Sequence, residues 1–98
     1  MFNKITIIGC GLIGSSLLRV INKKKISNKI SVFDNSIKVR KKIKKIKLNC
    51  KIEKNISESV KNSDLIIICS PISSYNKIIE NIKNKLKNNS IIIDIASV

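Results

Sequence analysis

Short apolar runs alternate along this 98-residue chain with longer segments in which apolar positions recur every three or four residues. Four runs are rich in β-branched residues and nearly continuous: 4–8 (Lys-Ile-Thr-Ile-Ile), 30–34 (Ile-Ser-Val-Phe-Asp), 65–69 (Leu-Ile-Ile-Ile-Cys) and 91–95 (Ile-Ile-Ile-Asp-Ile). Runs of this kind are expected of parallel strands buried on both faces. A weaker fifth strand is expected near 50–53. Ile13, Leu17 and Ile21, spaced by four, predict a first helix that ends at Lys23, Lys24 and Lys25, where positive charge suits the helix dipole. A second helix is expected to start at an N-cap Ser36, bury Val39, Ile43 and Ile46, and stop at Asn49. Asn55 with Glu58 three positions on predicts a capped short third helix carrying Ile56 and Val60. The fourth is predicted from Ser73 to about Lys87, with Tyr75, Ile78, Ile79, Ile82 and Leu86 on one stripe. The strict alternation of strand and helix predicts an α/β class, a parallel sheet of about five strands with helices on both faces.

Composition changes how the charge is read. Ile, Lys and Asn number 23, 18 and 12, together 53 of 98 residues, and all three have A/T-rich codons. Drift in an A/T-rich genome therefore accounts for much of the net charge of +14. The lysines are spread over most segments, and one Tyr and two Phe offer little stacking surface, so no specific nucleic-acid partner is expected. No apolar run reaches the length of a membrane span, and Met1–Gly9 is too short for a signal peptide's apolar region, which points to a cytoplasmic protein with no membrane partner. Cysteines at 10, 50 and 69 form no C-x-x-C pair, so no metal site or disulfide framework is expected. Histidine is absent, so this chain lacks the commonest general acid/base.

The sharpest signal is Gly9-Cys10-Gly11-Leu12-Ile13-Gly14, placed after the first predicted strand and opening the first predicted helix. That context, with an acid about 20 residues on, turns a G-x-G-x-x-G string into a dinucleotide-binding fingerprint of a Rossmann-type sheet. Asp34 stands 20 residues past Gly14, at the end of the second strand. Gly9 permits a tight turn, Gly11 lets backbone approach a pyrophosphate, and Gly14 lets the helix pack on the strand. The first-turn amides then face the phosphates. Asp34 is expected to accept hydrogen bonds from ribose hydroxyls and to repel a 2′-phosphate, which favours NAD over NADP; Lys38, Arg40 and Lys41 soften that discrimination. A carboxylate capping the next turn is the alternative role for Asp34. Ser70 and Pro71 follow the fourth strand, at the strand ends where open α/β sheets bind ligands. Asp64 lies at the opposite rim and is read as structural. Cys10 and Cys69 are read as core thiols near the cleft.

The segments ITIIGCGLIGSSLLRVI, SVFD, NSDLIIICSPISSYNKII and IIIDIASV together resemble the N-terminal nucleotide-binding domain of prephenate/arogenate dehydrogenases over essentially the whole chain. The more specific parts are the Ser70-Pro71 step and the closing Asp94-Ile95-Ala96-Ser97-Val98; family members usually carry Gly at the position of Ala96. The resemblance implies oxidative decarboxylation of prephenate or arogenate, in tyrosine biosynthesis, by hydride transfer to NAD(P)⁺. It also implies a substrate-side role for Ser97, and a catalytic His and a C-terminal helical substrate and dimerisation domain that this chain does not contain. On that reading residues 1–98 are an incomplete cofactor-binding domain, inactive alone, and a homodimer is expected only with the C-terminal domain present. The alternatives are another dehydrogenase or reductase of hydroxyacid or 6-phosphogluconate type, or a non-catalytic nucleotide-sensing module.

Overall fold

A computed structural model describes residues 2–95. β1 (Phe2–Ile8), α1 (Leu12–Lys24), β2 (Ser27–Phe33), α2 (Ile37–Ile46), β3 (Lys51–Ile52), α3 (Ile56–Ser59), β4 (Leu65–Ile68), α4 (Tyr75–Ile82) and β5 (Ile91–Asp94) follow one another, with 3-10 turns at Ile72–Ser74 and Lys83–Lys85. The strands form one five-stranded sheet in the order β3-β2-β1-β4-β5, with every pairing parallel. Chain direction across the sheet reverses between β1 and β4, so the loops leaving these two strands part at the carboxyl edge and leave a crevice between them.

Alternation along β1 divides the interior into two layers. Ile5 and Ile7 face α1 and α2 and pack with Leu18, Ile21, Ile43 and Val32. Ile8 faces the other way and packs with Val60, Ile66, Ile68, Ile78 and Ile82, under α3 and α4. Thr6, on that second face, is fully buried and carries a polar link across the layer. Its hydroxyl donates to the Ser59 carbonyl at 2.6 Å and accepts from the Ser63 hydroxyl, so both buried groups are satisfied.

The sequence and structure part company at element ends. The fourth helical segment is broken: a 3-10 turn precedes α4, a second follows it, and Leu86 is already extended. Pro71 explains the start, since three residues past β4 it can neither extend the strand nor donate an amide into a helix. Helix α2 stops at Ile46 with Lys47 left-handed at φ 58°, two residues before the Asn49 expected to end it. Lys25 ends α1 in the same conformation at φ 52°. Strand β5 is an edge with Ile91 and Ile93 exposed, so its apolar run is not covered on both faces. The N-caps came out as the sequence indicated: the Ser36 hydroxyl accepts from Val39 N–H at 3.3 Å, and Asn55 Oδ1 accepts from Ser57 N–H at 2.9 Å. The Glu58 side chain, instead of reaching back to complete a capping box, pairs with Lys61 at 3.1 Å.

Asp64 is the structural residue its position suggested. Its Oδ2 accepts from the Asn3 N–H at 2.6 Å, its Oδ1 pairs with the Lys87 ammonium, and its own peptide unit bonds to Lys4 and Ile91, tying β1, β4 and β5 at their amino-terminal ends.

Two outcomes follow from this frame. An exposed lysine held left-handed costs about 1 kcal/mol relative to glycine, so Lys47→Gly is expected to raise stability by roughly 0.5–1 kcal/mol in urea unfolding, with Lys25→Gly behaving alike. The Lys87 ammonium, then the Asn3 N–H, hold the Asp64 carboxyl below its ordinary value of 3.8. A carboxyl depressed in the folded state stabilises above its unfolded value, and that contribution is lost as pH falls through the folded one. The urea midpoint is therefore expected to fall below about pH 4, and to fall less steeply in Asp64→Asn.

Candidate nucleotide-binding site

The glycine loop runs from the end of β1 into α1 and is fixed by close backbone contacts. Gly9 sits at φ +83°, its N–H donates to the Phe33 carbonyl at 2.8 Å, and a Cβ placed on it would strike the Ser70 hydroxyl and come within 2.8 Å of the Ser70 nitrogen. A Cβ on Gly14 would lie 2.5 Å from the Gly9 carbonyl oxygen. Any other residue at either position forces backbone apart. Gly11 differs: its φ is −77° and a Cβ there would meet no atom within 4 Å. The fold does not require this glycine, and the space in front of it is open.

That space lies at the start of α1. No side chain caps the helix and its first turn holds no acidic residue, so the first amides are left for an outside acceptor. A missing cap on a thirteen-residue helix, beside a glycine with no packing reason to be one, is the arrangement that receives a phosphate.

Asp34, one residue beyond β2, ties the loop to the neighbouring strand. Its Oδ2 accepts from the Cys10 N–H at 2.7 Å and its Oδ1 from the Ser36 N–H at 2.8 Å. The capping role foreseen as an alternative is thus present, together with a second bond into the loop. Each carboxylate oxygen retains acceptor capacity for a further donor. The Arg40 guanidinium donates to the Asp34 carbonyl at 2.6 Å and lies 5.9 Å from the Phe33 ring centroid. Arg40, expected from sequence to soften the discrimination between NAD and NADP, stands one turn into α2, six residues past Asp34.

Ser70, two residues beyond β4, comes against Gly9 of this loop. A cavity of about 230 Å³ is lined by Phe33 and Asn35 on one side, Ser70 and Ser74 on another, and Lys77 and Asn81 of α4. Ser70 and the residues flanking Asp34 are therefore brought to one cavity. Pro71 is exposed, and its carbonyl accepts from Ser74 N–H at 2.9 Å in the 3-10 turn. Lys77 and Asn81 were not singled out from sequence, because the stripe read there was the apolar one.

Other expected residues take different positions. Cys10 contributes its backbone to the loop, while its thiol is 2% exposed and lies in the core. Burial pushes the Cys10 thiol above its usual range and Cys69 up to about 11, so both stay protonated at neutral pH. Leu12, 91% exposed, and Ile13 are the first residues of α1, with their backbone at its uncapped start and their side chains exposed. Ser97 lies outside the described residues. Among the described residues no cluster of His, Cys, Asp or Glu is able to hold a metal ion, and no helix is long and apolar enough to cross a membrane.

A parallel sheet in this strand order, with a glycine loop and a strand-end carboxylate at its reversal point, defines a nucleotide-binding Rossmann domain. The chain belongs to the oxidoreductase family described as NADP oxidoreductase, coenzyme F420-dependent, whose model matches residues 4–98. It is 32% identical over 98 residues to the cyclohexadienyl dehydrogenase of Zymomonas mobilis, of which it covers 33%. Among solved structures it is similar to the prephenate dehydrogenase of A. aeolicus, in complex with hydroxyphenyl propionate and NAD⁺, at a TM-score of 0.86 and 18% identity, over 100% of this chain and 35% of that one. It is also similar to the imine reductase of Myxococcus stipitatus in complex with NADP⁺, at a TM-score of 0.81 and 16% identity, over 97% of this chain and 32% of that one. The chain thus spans about a third of the length of these relatives.

The glycines separate fold from ligand. Gly9→Ala and Gly14→Ala are each expected to cost about 2 kcal/mol or more, from the left-handed φ in one and backbone contact in the other. Gly11→Ala is expected to leave the thermal midpoint within about 2 °C of the parent, since nothing in the fold opposes its methyl. Thermal unfolding of the three variants checks the order.

Proposed function

We propose that this chain is the cofactor-binding portion of a dehydrogenase acting on prephenate or arogenate, and that it prefers NAD to NADP. The observation that carries the nucleotide part is the open space at Gly11 in front of the uncapped start of α1, beside a carboxylate already bonded to the loop. Gly11 leaves room for the pyrophosphate, which the first amides of α1 hold. Asp34 accepts from the ribose hydroxyls of the adenosine half, and Ser70 and Pro71 line the crevice toward the nicotinamide half. When bound, the dinucleotide supplies a ring carbon that takes up a hydride from the substrate.

Asp34 also carries the preference for NAD. A 2′-phosphate in its neighbourhood meets a carboxylate whose charge opposes it. Arg40 works in the other direction, but its guanidinium is already engaged with the Asp34 carbonyl at 2.6 Å. The substrate class rests on the Zymomonas relative at 32% identity and on the Ser70-Pro71 and Asp94-to-Val98 motifs. Ser97 is the residue proposed to sit on the substrate side. With no histidine among its 98 residues, the chain has no imidazole to take the proton of the substrate hydroxyl, and the base and most of the substrate pocket are assigned to chain outside this sequence.

Titration with NADH, followed by nucleotide fluorescence, is expected to show saturable binding that Gly11→Ala abolishes without loss of fold. Asp34→Ala is expected to weaken NADH roughly tenfold, equivalent to about 1.4 kcal/mol, and to narrow its advantage over NADPH. Equal affinity for NADH and NADPH in the unaltered chain removes the case for NAD. Prephenate oxidation by this chain alone removes the assignment of the base to chain outside it.

A further inference from the structure

A second polar cavity, of about 700 Å³, lies at the amino-terminal rim of the sheet, the edge opposite the glycine loop. Strand register gathers cations there. Lys4 of β1 and Lys29 of β2 are direct cross-strand partners. Ser31, two residues along β2 and so on the same face, is partnered with Lys51 of β3. Lys61 follows α3, and its carbonyl accepts from the Lys4 ammonium at 2.6 Å. These four lysines line the cavity with Asn28 and Asn49, and none of its lining residues is acidic.

The balance of charge is incomplete. Glu53 pairs with Lys51 at 3.2 Å and Glu58 with Lys61 at 3.1 Å. Lys4 and Lys29 have no carboxylate within ion-pair distance among the described residues. Burial pushes the Lys4 ammonium below its usual range; Glu53 and Glu58 oppose that shift, while Lys51 and Lys29 add to it. Codon drift explains how many lysines the chain has, but not this placement. Like charges set directly opposite on paired strands are unfavourable, whereas lysines on open helix faces carry no such cost.

We propose that this rim is a binding site for a small multivalent oxyanion of the polyphosphate type, separate from the nucleotide site. The two unpaired ammonium groups supply the charge. Asn28 and Asn49 supply neutral amides that fix orientation, and the concavity admits a short chain of phosphates rather than a flat surface.

Inorganic tripolyphosphate is the probe. At low salt it is expected to raise the thermal midpoint of the unaltered chain and to shift backbone amide resonances of residues 28–31 and 49–51. Lys29→Gln removes one half of the like-charge pair, so the free variant is expected to melt roughly 2 °C higher than the parent. Its rise with tripolyphosphate is expected to be at least halved, and Lys29→Gln with Lys4→Gln to abolish it. Gly11→Ala is expected to keep the full response, which separates this site from the nucleotide site. Resonance shifts confined to residues 9–14, an undiminished rise in the double variant, or an equal rise in sodium chloride of matched ionic strength overturns the proposal.

Discussion

The molecule is organised around the place where α1 touches the end of β1. Gly14 lies so close to the Gly9 carbonyl that a methyl group would sit 2.5 Å from its oxygen. Only this contact lets the helix start directly above the strand, with its positive end over the crevice between β1 and β4. Gly9 then has to turn at φ +83° against Ser70, which brings the loops of the two strands together. Asp34 secures the third side through the Cys10 and Ser36 amides. Packing, loop conformation and the open pocket are therefore one arrangement, and changes at Gly9 or Gly14 disturb all of it. Gly11 is the exception that shows what the arrangement is for.

Much of this was legible in the sequence because its signals are local. The five strands and the caps at Ser36 and Asn55 follow from short runs and single side chains, and the glycine spacing marked the loop before any contact was known. What was not legible depends on partners distant in sequence. The left-handed ends at Lys25 and Lys47 carry none of the glycine or asparagine that usually marks such positions, because tertiary packing fixes where each helix leaves its core face. The breaking of the fourth helical segment is a local event at Pro71 followed by an overriding one: Leu86 has to leave the helix for the chain to return and start β5. Lys77 and Asn81 of the crevice cavity went unread for a different reason. In a chain this rich in lysine and asparagine, a polar residue on a helix carries little information until a cavity singles it out.

The two rims of the sheet also differ in how they treat charge. At the carboxyl rim one carboxylate is bonded by backbone amides and neighbours an uncapped helix start. At the amino rim Asp64 is fully engaged in holding three strands, and the nearby lysines are left to face one another. Backbone dipoles are the exposed feature of the first rim and side-chain charges that of the second, and only the latter are strongly screened by salt.

The chain has three glycines, and all three stand in the loop between positions 9 and 14. Where the backbone turns left-handed elsewhere among the described residues, lysine or asparagine does so: Lys25, Lys47, Asn62 and Asn89. Mutational freedom is distributed accordingly. The codons of Gly9 and Gly14 hold the loop's geometry and tolerate almost no exchange, Gly11 is free as far as the fold goes, and those four turns are a reserve of unclaimed stability that single substitutions can recover without touching the crevice.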